Sequence, residues 1–145
     1  MEILQASQAD LYQVSQYTGQ ALKEGSLGKY TVGNEKMNNM MKKILDNNGK
    51  LLVAKESDQI TGWVLFGPQK DSITDKYLGF IYEIYILEDY RKKGYAKKLL
   101  EECTKDLRNQ GLHDVSLVVY SGNKAIGLYK QLGFTENKIV MNKKL

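Results

Sequence analysis

A chain of 145 residues with 21 Lys+Arg against 17 Asp+Glu carries a formal net charge of +4 and is the size of one ordinary domain, which excludes a multidomain machine. Hydrophobic residues at 42%, charged residues at 26% and a single proline fit a folded soluble domain and exclude a disordered or low-complexity chain. A charge of +4 spread over this length is modest, and it fits an anionic small ligand as well as it fits nucleic acid.

Glu2 to Ala6 reads as a short strand, and Ser7 with Asp10 three residues on is the signature of a helix start. Leu11, Val14, Thr18, Ala21 and Leu22 recur at helical spacing, so one helix is expected to run until the turn residues Gly25-Ser26-Leu27-Gly28. After a loop reaching Gly33, Asn34 is placed to cap a second helix, stopped by Asp46-Asn47-Asn48-Gly49. Its Met37, Met40, Met41, Ile44 and Leu45 form one apolar stripe, read as core packing. From Lys50 the period becomes that of sheet: Leu51 to Lys55, a turn at Ser57-Asp58-Gln59, and Ile60 to Phe66 predict an antiparallel hairpin that Gly67-Pro68 ends. Tyr77 to Leu87, aromatic and β-branched, predicts a central strand.

The segment Glu88 to Ala96 opens a further helix, with Ala96, Leu99, Leu100, Cys103 and Leu107 as its buried face and Gly111 as its end. Val115 to Tyr120 predicts a strand, Asn123 to Leu132 a short helix, and Ile139 to Met141 a last strand. There is no internal repeat and no linker, so residues 1–145 are expected to form a single domain. Cys103, the one cysteine, cannot make an internal disulfide, and no Cys/His set offers a zinc site, so no metal is expected and a reducing cytoplasm is the simplest home. No stretch reaches the roughly 18 apolar residues of a spanning helix, and the amino terminus lacks a signal-peptide layout, so no membrane partner is expected.

The stretch richest in chemistry is the junction of the central strand with the helix that follows. A helix start presents unpaired N–H groups and partial positive charge, and a glycine there lets backbone approach a phosphate. Arg91, Lys92, Lys93, Lys97 and Lys98 surround this start and Gly94 lies within it, so a pyrophosphate would suit the charge. Neither the dinucleotide fingerprint nor the P-loop is present. On spacing alone a solvated helix face, with pairs such as Lys97 to Glu101 and Lys98 to Glu102, is an equal explanation.

Two motifs break that tie. Arg91, Gly94 and Ala96 meet the pattern Arg/Gln-x-x-Gly-x-Gly/Ala, while Asn123, Ala125, Leu128, Tyr129, Gly133 and Phe134 meet a second, and together they resemble the GNAT superfamily of acetyl-CoA-dependent N-acetyltransferases. The resemblance implies an α/β (α+β) fold: a mixed, mostly antiparallel central sheet flanked by helices, with a splayed strand pair holding the cofactor. It also implies that acetyl-CoA is a co-substrate, that the backbone of Ile84, Tyr85 and Ile86 pairs with the pantetheine arm, and that a bulge there splays the strand. Arg91, Lys92, Lys93, Gly94, Tyr95 and Ala96 would then hold the pyrophosphate, and Asn123 would lie near the thioester. The chain departs from the family at Glu88, where a proline is common, and at Ala96, where the second glycine is usual.

Acetyl transfer to an amine needs the amine neutral, so a base or a water chain must take its proton. Glu83, just before the pantetheine-pairing residues, is the candidate base; a structural carboxylate paired with a Lys or Tyr is the alternative. By the resemblance Tyr129 protonates the departing thiolate and also touches the cofactor, and a backbone N–H such as that of Ile86 is placed to stabilise the oxyanion. Cys103, on an apolar helix stripe, reads as inert packing rather than an acyl carrier, and His113 as an exposed loop residue. In this family the loop after the first helices roofs the acceptor pocket, which points to Leu22 through Val32, with Tyr30 and Tyr82 as substrate contacts, Tyr77 as a further wall, and Glu24 and Glu35 within reach. The acceptor is then an amine, a small molecule ahead of a protein lysine or N-terminus. From other classes stand a basic nucleic-acid-binding module and an acyl-CoA sensor without turnover, and for a small soluble enzyme a homodimer is the commonest assembly.

Overall fold

A computed structural model describes residues 1–145. Strand β1 (Glu2–Gln5) leads into α1 (Gln8–Ser15) through a reciprocal capping box: Ser7 Oγ accepts from the Asp10 N–H at 3.1 Å, and the Asp10 carboxylate accepts from the Ser7 N–H at 2.9 Å. Asp10 is buried, and its Oδ1 lies 2.8 Å from Lys55 Nζ. Burial pushes this carboxyl upward, but Lys55 and the two contacts to Ser7 outweigh it and hold the group below its ordinary range. Asp10→Ala should therefore cost about 2 kcal/mol at neutral pH, from a lost cap and a broken half-buried pair. A group with a depressed native value stabilises the fold above the unfolded carboxyl range and stops doing so as pH falls through that native value. Urea unfolding at pH 7 and pH 3 should show a larger difference between wild type and variant at the first than at the second.

The single helix expected from Leu11 to Leu22 is two, because α1 stops at Ser15 and α2 (Thr18–Gly25) starts afresh. The break is held by side chains from α3 (Asn34–Asp46). Asn38 Nδ2 donates to the Ser15 carbonyl and Asn34 Nδ2 to the Gln16 carbonyl, both at 3.1 Å, while Asn34 Oδ1 accepts from the Gly19 N–H at 2.7 Å. Asn34 is consequently not the cap of α3; Gly33 holds that position, and the Asn34 amide is used on the α1–α2 junction. The methionine stripe is also narrower than its spacing implies, with Met41 buried and Met40 half exposed.

A five-stranded sheet follows in the order β1-β2-β3-β4-β5, with β2 (Lys50–Glu56), β3 (Gln59–Lys70), β4 (Tyr77–Ile86) and β5 (Val115–Leu117). All neighbours are antiparallel except β4 and β5, so the sheet is mixed and mostly antiparallel, as the resemblance implies. Strand β3 runs straight through Gly67-Pro68 instead of ending there. Pairing with β2 stops at Phe66, so beyond that point one edge of β3 is free and tolerates a residue with no N–H. A 3₁₀ turn (Glu88–Tyr90), α4 (Tyr95–Asn109) and α5 (Ile126–Gln131) complete the regular elements. The strand expected to Tyr120 ends at Leu117, and Ile139 to Met141 form no strand. Those three are 76 to 88% exposed, since β-favouring residues make a strand only where a partner edge adjoins them.

The sheet separates two cores. Val14, Ala21 and Met41 from α1, α2 and α3 pack with Trp63 and Leu65 on one face; Leu99, Leu100, Cys103 and Leu107 of α4 pack with Val64, Phe66 and Ile81 on the other. No helix is long and apolar enough to cross a membrane.

Candidate active site

The site begins with an irregularity in β4. Leu65 stands opposite Glu83 and Phe66 opposite Ile81, which leaves Tyr82 as an extra residue, a β-bulge. Its effect can be read from hydrogen bonds. The Gly79 N–H donates toward β5, to the Asp114 carbonyl, whereas the Leu87 N–H donates toward β3, to the Thr61 carbonyl. In a regular strand two residues an even number apart face the same neighbour, so the bulge has inverted the direction of every group after it. Ile84 and Ile86 therefore turn their N–H and C=O groups away from β3. Pairing with β5 ends at Ile81 opposite Leu117, so these groups face an opening and not a strand.

At the mouth of this opening lies the loop from Arg91 to Gly94. Lys92 (φ 63°) and Gly94 (φ 80°) both adopt left-handed backbone, which turns successive N–H groups outward. None of the main-chain N–H groups from Lys92 to Lys97 has a partner within the chain. A Cβ at Gly94 would meet nothing within 4 Å, so it is the left-handed conformation, not space, that calls for glycine there. Lys97 and Lys98 are in no ion pair, so the alternative of links to Glu101 and Glu102 is not realised and the charge of these two lysines near the helix start stands unneutralised. The side chains divide differently. Tyr95 is buried and can offer a ligand only its backbone, and Lys93 Nζ sits 5.5 Å from the centre of the Tyr90 ring. Arg91 lies over Tyr85, donating from Nε to the Ile86 carbonyl at 2.8 Å and from Nη2 to Glu24 Oε2 at 2.9 Å.

The end of α2 and the loop after it reach across the opening to the β5–α5 segment. Asn123 Nδ2 donates to the Gly25 carbonyl at 3.1 Å, its Oδ1 accepts from the Ala125 N–H at 2.8 Å, and Tyr30 packs edge-on against Tyr120 with ring centres 5.9 Å apart. A pocket of about 330 Å³ opens there, lined by Gln20, Lys23, Glu24, Leu27, Gly28 and Arg91. Tyr30 does not line this pocket but packs on Tyr120 at the crossing, and Tyr82 packs against the α1–α3 core beside Phe80. Tyr77, at the start of β4, is about 20 Å along the strand from Glu83 at a rise of about 3.3 Å per residue, and it lines nothing here.

Glu83 follows the bulge on the α1–α3 face. Its Oε2 accepts from the Trp63 indole N–H at 2.7 Å, so its partner is neither the Lys nor the Tyr that a structural carboxylate was expected to have. Burial raises its pKa to about 7 against the lowering effect of that hydrogen bond, which leaves the carboxyl half ionised near neutrality. Trp63 in turn packs against Tyr85 and Tyr17, at 5.0 and 6.2 Å between ring centres. Tyr129 belongs to the core on the other face, its ring edge-on to Phe134 at 5.9 Å and its hydroxyl pKa raised by burial. Burial, with Asp106 nearby, pushes the Cys103 thiol up to about 12, which rules against a thiolate nucleophile. Trp63 and Tyr120 were not identified from the sequence, and Glu24 was placed near the acceptor but not paired with Arg91; alternation along β3 could have placed Trp63 on the face of Glu83, but no spacing rule links Glu24 to Arg91 or Tyr120 to the site.

Comparison with known proteins bears on the family and the fold. Residues 16–134 match the acetyltransferase (GNAT) family. The chain is 38% identical over 87 residues to an uncharacterized N-acetyltransferase of Bacillus subtilis, 59% of this chain and 54% of that one. It is 36% identical over 86 residues to an L-ornithine N5-acetyltransferase of Arabidopsis thaliana, 58% of this chain and 38% of the plant protein. The chain thus spans 54% and 38% of the length of these two relatives. A crystallised protein of Clostridium acetobutylicum, described as a predicted acetyltransferase with acetyl-CoA, superposes with a TM-score of 0.79 at 16% identity, covering 99% of this chain and 95% of that one, which is a likeness of fold.

Proposed function

We propose that this chain, which belongs to the acetyltransferase (GNAT) family, moves an acetyl group from acetyl-CoA to a primary amine on a small molecule by direct attack. The observation that carries this reading is the run of free N–H groups from Lys92 to Lys97 beside the unpaired edge of β4. The first suits a pyrophosphate and the second an amide-bearing arm laid along it. Lys92 and Arg91 add charge at the phosphates, Ile84 and Ile86 offer the strand edge, and Asn123 stands at the β5 side of the opening.

Glu83 takes a proton from the incoming ammonium, which frees the nitrogen lone pair. The nitrogen forms its bond to the thioester carbonyl carbon, and an N–H of the splayed strand, that of Ile86, meets the charge that gathers on the carbonyl oxygen. The carbon–sulfur bond then breaks as Tyr129 gives its proton to the departing sulfur, since a free thiol has a pKa of about 8.5 and the thiolate is the poorer leaving form, and the second proton of the attacking nitrogen is released and restores the Tyr129 hydroxyl. The products are an acetamide and CoA. Tyr85 and Tyr82, with the buried Trp63 packed behind Tyr85, give the acceptor an aromatic wall that suits the stem of a small amine and its cationic head before deprotonation. An amino group on a small molecule is also what the plant relative acetylates, by its name.

Calorimetry with acetyl-CoA and with free CoA tests the reading. Wild type should bind both, and the double variant Arg91→Glu, Gly94→Glu should bind at least about tenfold more weakly, because two carboxylates then face the phosphates. Thiol release should appear on adding amines in the same sample. Absence of CoA binding by folded wild type would overturn the proposal.

A further inference from the structure

Arg91 and Asn123 are the two polar side chains that the cofactor reading uses at opposite sides of the opening, and both are held by adjoining residues at the end of α2. Arg91 is bound to the Glu24 carboxylate at 2.9 Å and Asn123 to the Gly25 carbonyl at 3.1 Å. Arg91 also donates through Nε to the Ile86 carbonyl at 2.8 Å, a group on the strand edge that a pantetheine arm would need. The guanidinium therefore lies across the strand edge, fixed at one end to β4 and at the other to α2. Burial pushes the Glu24 carboxyl up, but the Tyr85 hydroxyl and Arg91 more than offset this and keep it ionised, so a carboxylate faces the place where phosphates would arrive.

We propose that Glu24 is a positioning residue that acts through Arg91: it clasps the guanidinium over the Ile86 carbonyl, and acetyl-CoA enters by drawing Arg91 from Glu24 onto its pyrophosphate. The proposal rests on the reading that acetyl-CoA lies between β4 and β5. The polar contacts of the guanidinium and of the Ile86 carbonyl have replacements. The guanidinium exchanges a carboxylate for a phosphate, which is the same fork-shaped recognition, and the Ile86 carbonyl exchanges one N–H donor for another. What is lost is the attraction between Arg91 and Glu24, a half-exposed pair, and the seat of the guanidinium over the Tyr85 ring. Such pairs are weak enough to be opened by a ligand and strong enough to reduce its affinity.

Glu24→Gln should thus tighten acetyl-CoA about two- to fivefold in calorimetry, and lower KM for acetyl-CoA by a similar factor with kcat unchanged. Asp58→Asn, at the exposed β2–β3 turn, removes one negative charge elsewhere and should leave both values as they are. Raising salt should shrink the advantage of Glu24→Gln, because an exposed pair is screened. Binding that weakens or does not change in Glu24→Gln would overturn the proposal, as would equal tightening in Asp58→Asn, which is a bulk charge effect. If wild type binds no CoA the function reading falls and this proposal with it; if wild type binds and Glu24→Gln does not gain, only this proposal falls.

Discussion

Replacing Glu83 by glutamine is expected to lower kcat/KM for amine acetylation by about 10²- to 10⁴-fold at neutral pH, the range for removal of a positioned general base. Glutamine keeps the shape and an oxygen that accepts from the Trp63 indole, so the surrounding packing survives the change. Wild-type kcat/KM should rise with pH along a limb centred near the Glu83 value of about 7, and the variant should lack that limb. Stability should move the other way. A carboxyl raised in the folded state stabilises the fold fully below the unfolded range of about 4.3, and that contribution is lost as pH climbs through about 7. Glutamine has no such loss, so Glu83→Gln should melt above wild type at pH 8 and not at pH 4, the trade of stability for activity that working sites show. Steady-state profiles and melting curves at the two pH values decide it; an unaltered profile in the variant would hand the proton to a water chain.

Trp63→Ala is expected to destabilise the protein by about 3–5 kcal/mol, the usual cost of deleting a large buried aromatic. That is a major part of the roughly 5–15 kcal/mol that holds a domain together. Trp63 is 1% exposed and packs between Tyr17 and Tyr85, so no neighbour can collapse into the gap without breaking the wall of the site. Trp63→Phe separates packing from chemistry. It keeps an aromatic ring but takes away the one hydrogen bond that lowers the Glu83 pKa. A bond to a charged group is worth about 1.5–3 kcal/mol, or roughly one to two pKa units, so the activity limb should shift upward by about that much. Denaturant unfolding checks the alanine variant and the pH profile checks phenylalanine. A limb that stays in place would mean that Glu83 is not the group being titrated.

The elements that sequence could define are those whose signal is local. The Ser7–Asp10 box, the change of period at Lys50 and the buried face of α4 are fixed by neighbours within a turn or a strand, and the structure follows them, except that Tyr95 and not Ala96 is the buried residue of the first turn of α4. The break between α1 and α2 is not local, since it depends on amides from Asn34 and Asn38 that lie 18 and 23 residues from the carbonyls they bind. The same division runs through the site. Gly94 and the lysines around it are contiguous, and so could be seen as a cradle. The partner of Glu83 is 20 residues away and that of Arg91 is 67, and only sheet register and the path of α2 bring them together. The exposed Ile139 to Met141 show the converse, a local preference with no edge beside it to satisfy.

The bulge in β4 also determines where this fold can gain or lose residues over evolution. The tip of the β3–β4 hairpin, from Asp71 to Lys76, is a surface connection in which a few residues more or fewer would change only loop length. Tyr82 is different in kind. Deleting that one residue would restore even alternation, turn the polar groups of Ile84 and Ile86 back toward β3, and close the strand into an ordinary hairpin with nothing to offer a ligand. Length variation among descendants of this chain should therefore collect at the hairpin tip, and selection for the open edge should keep the count of residues between Gly79 and Leu87 constant whatever their identities become.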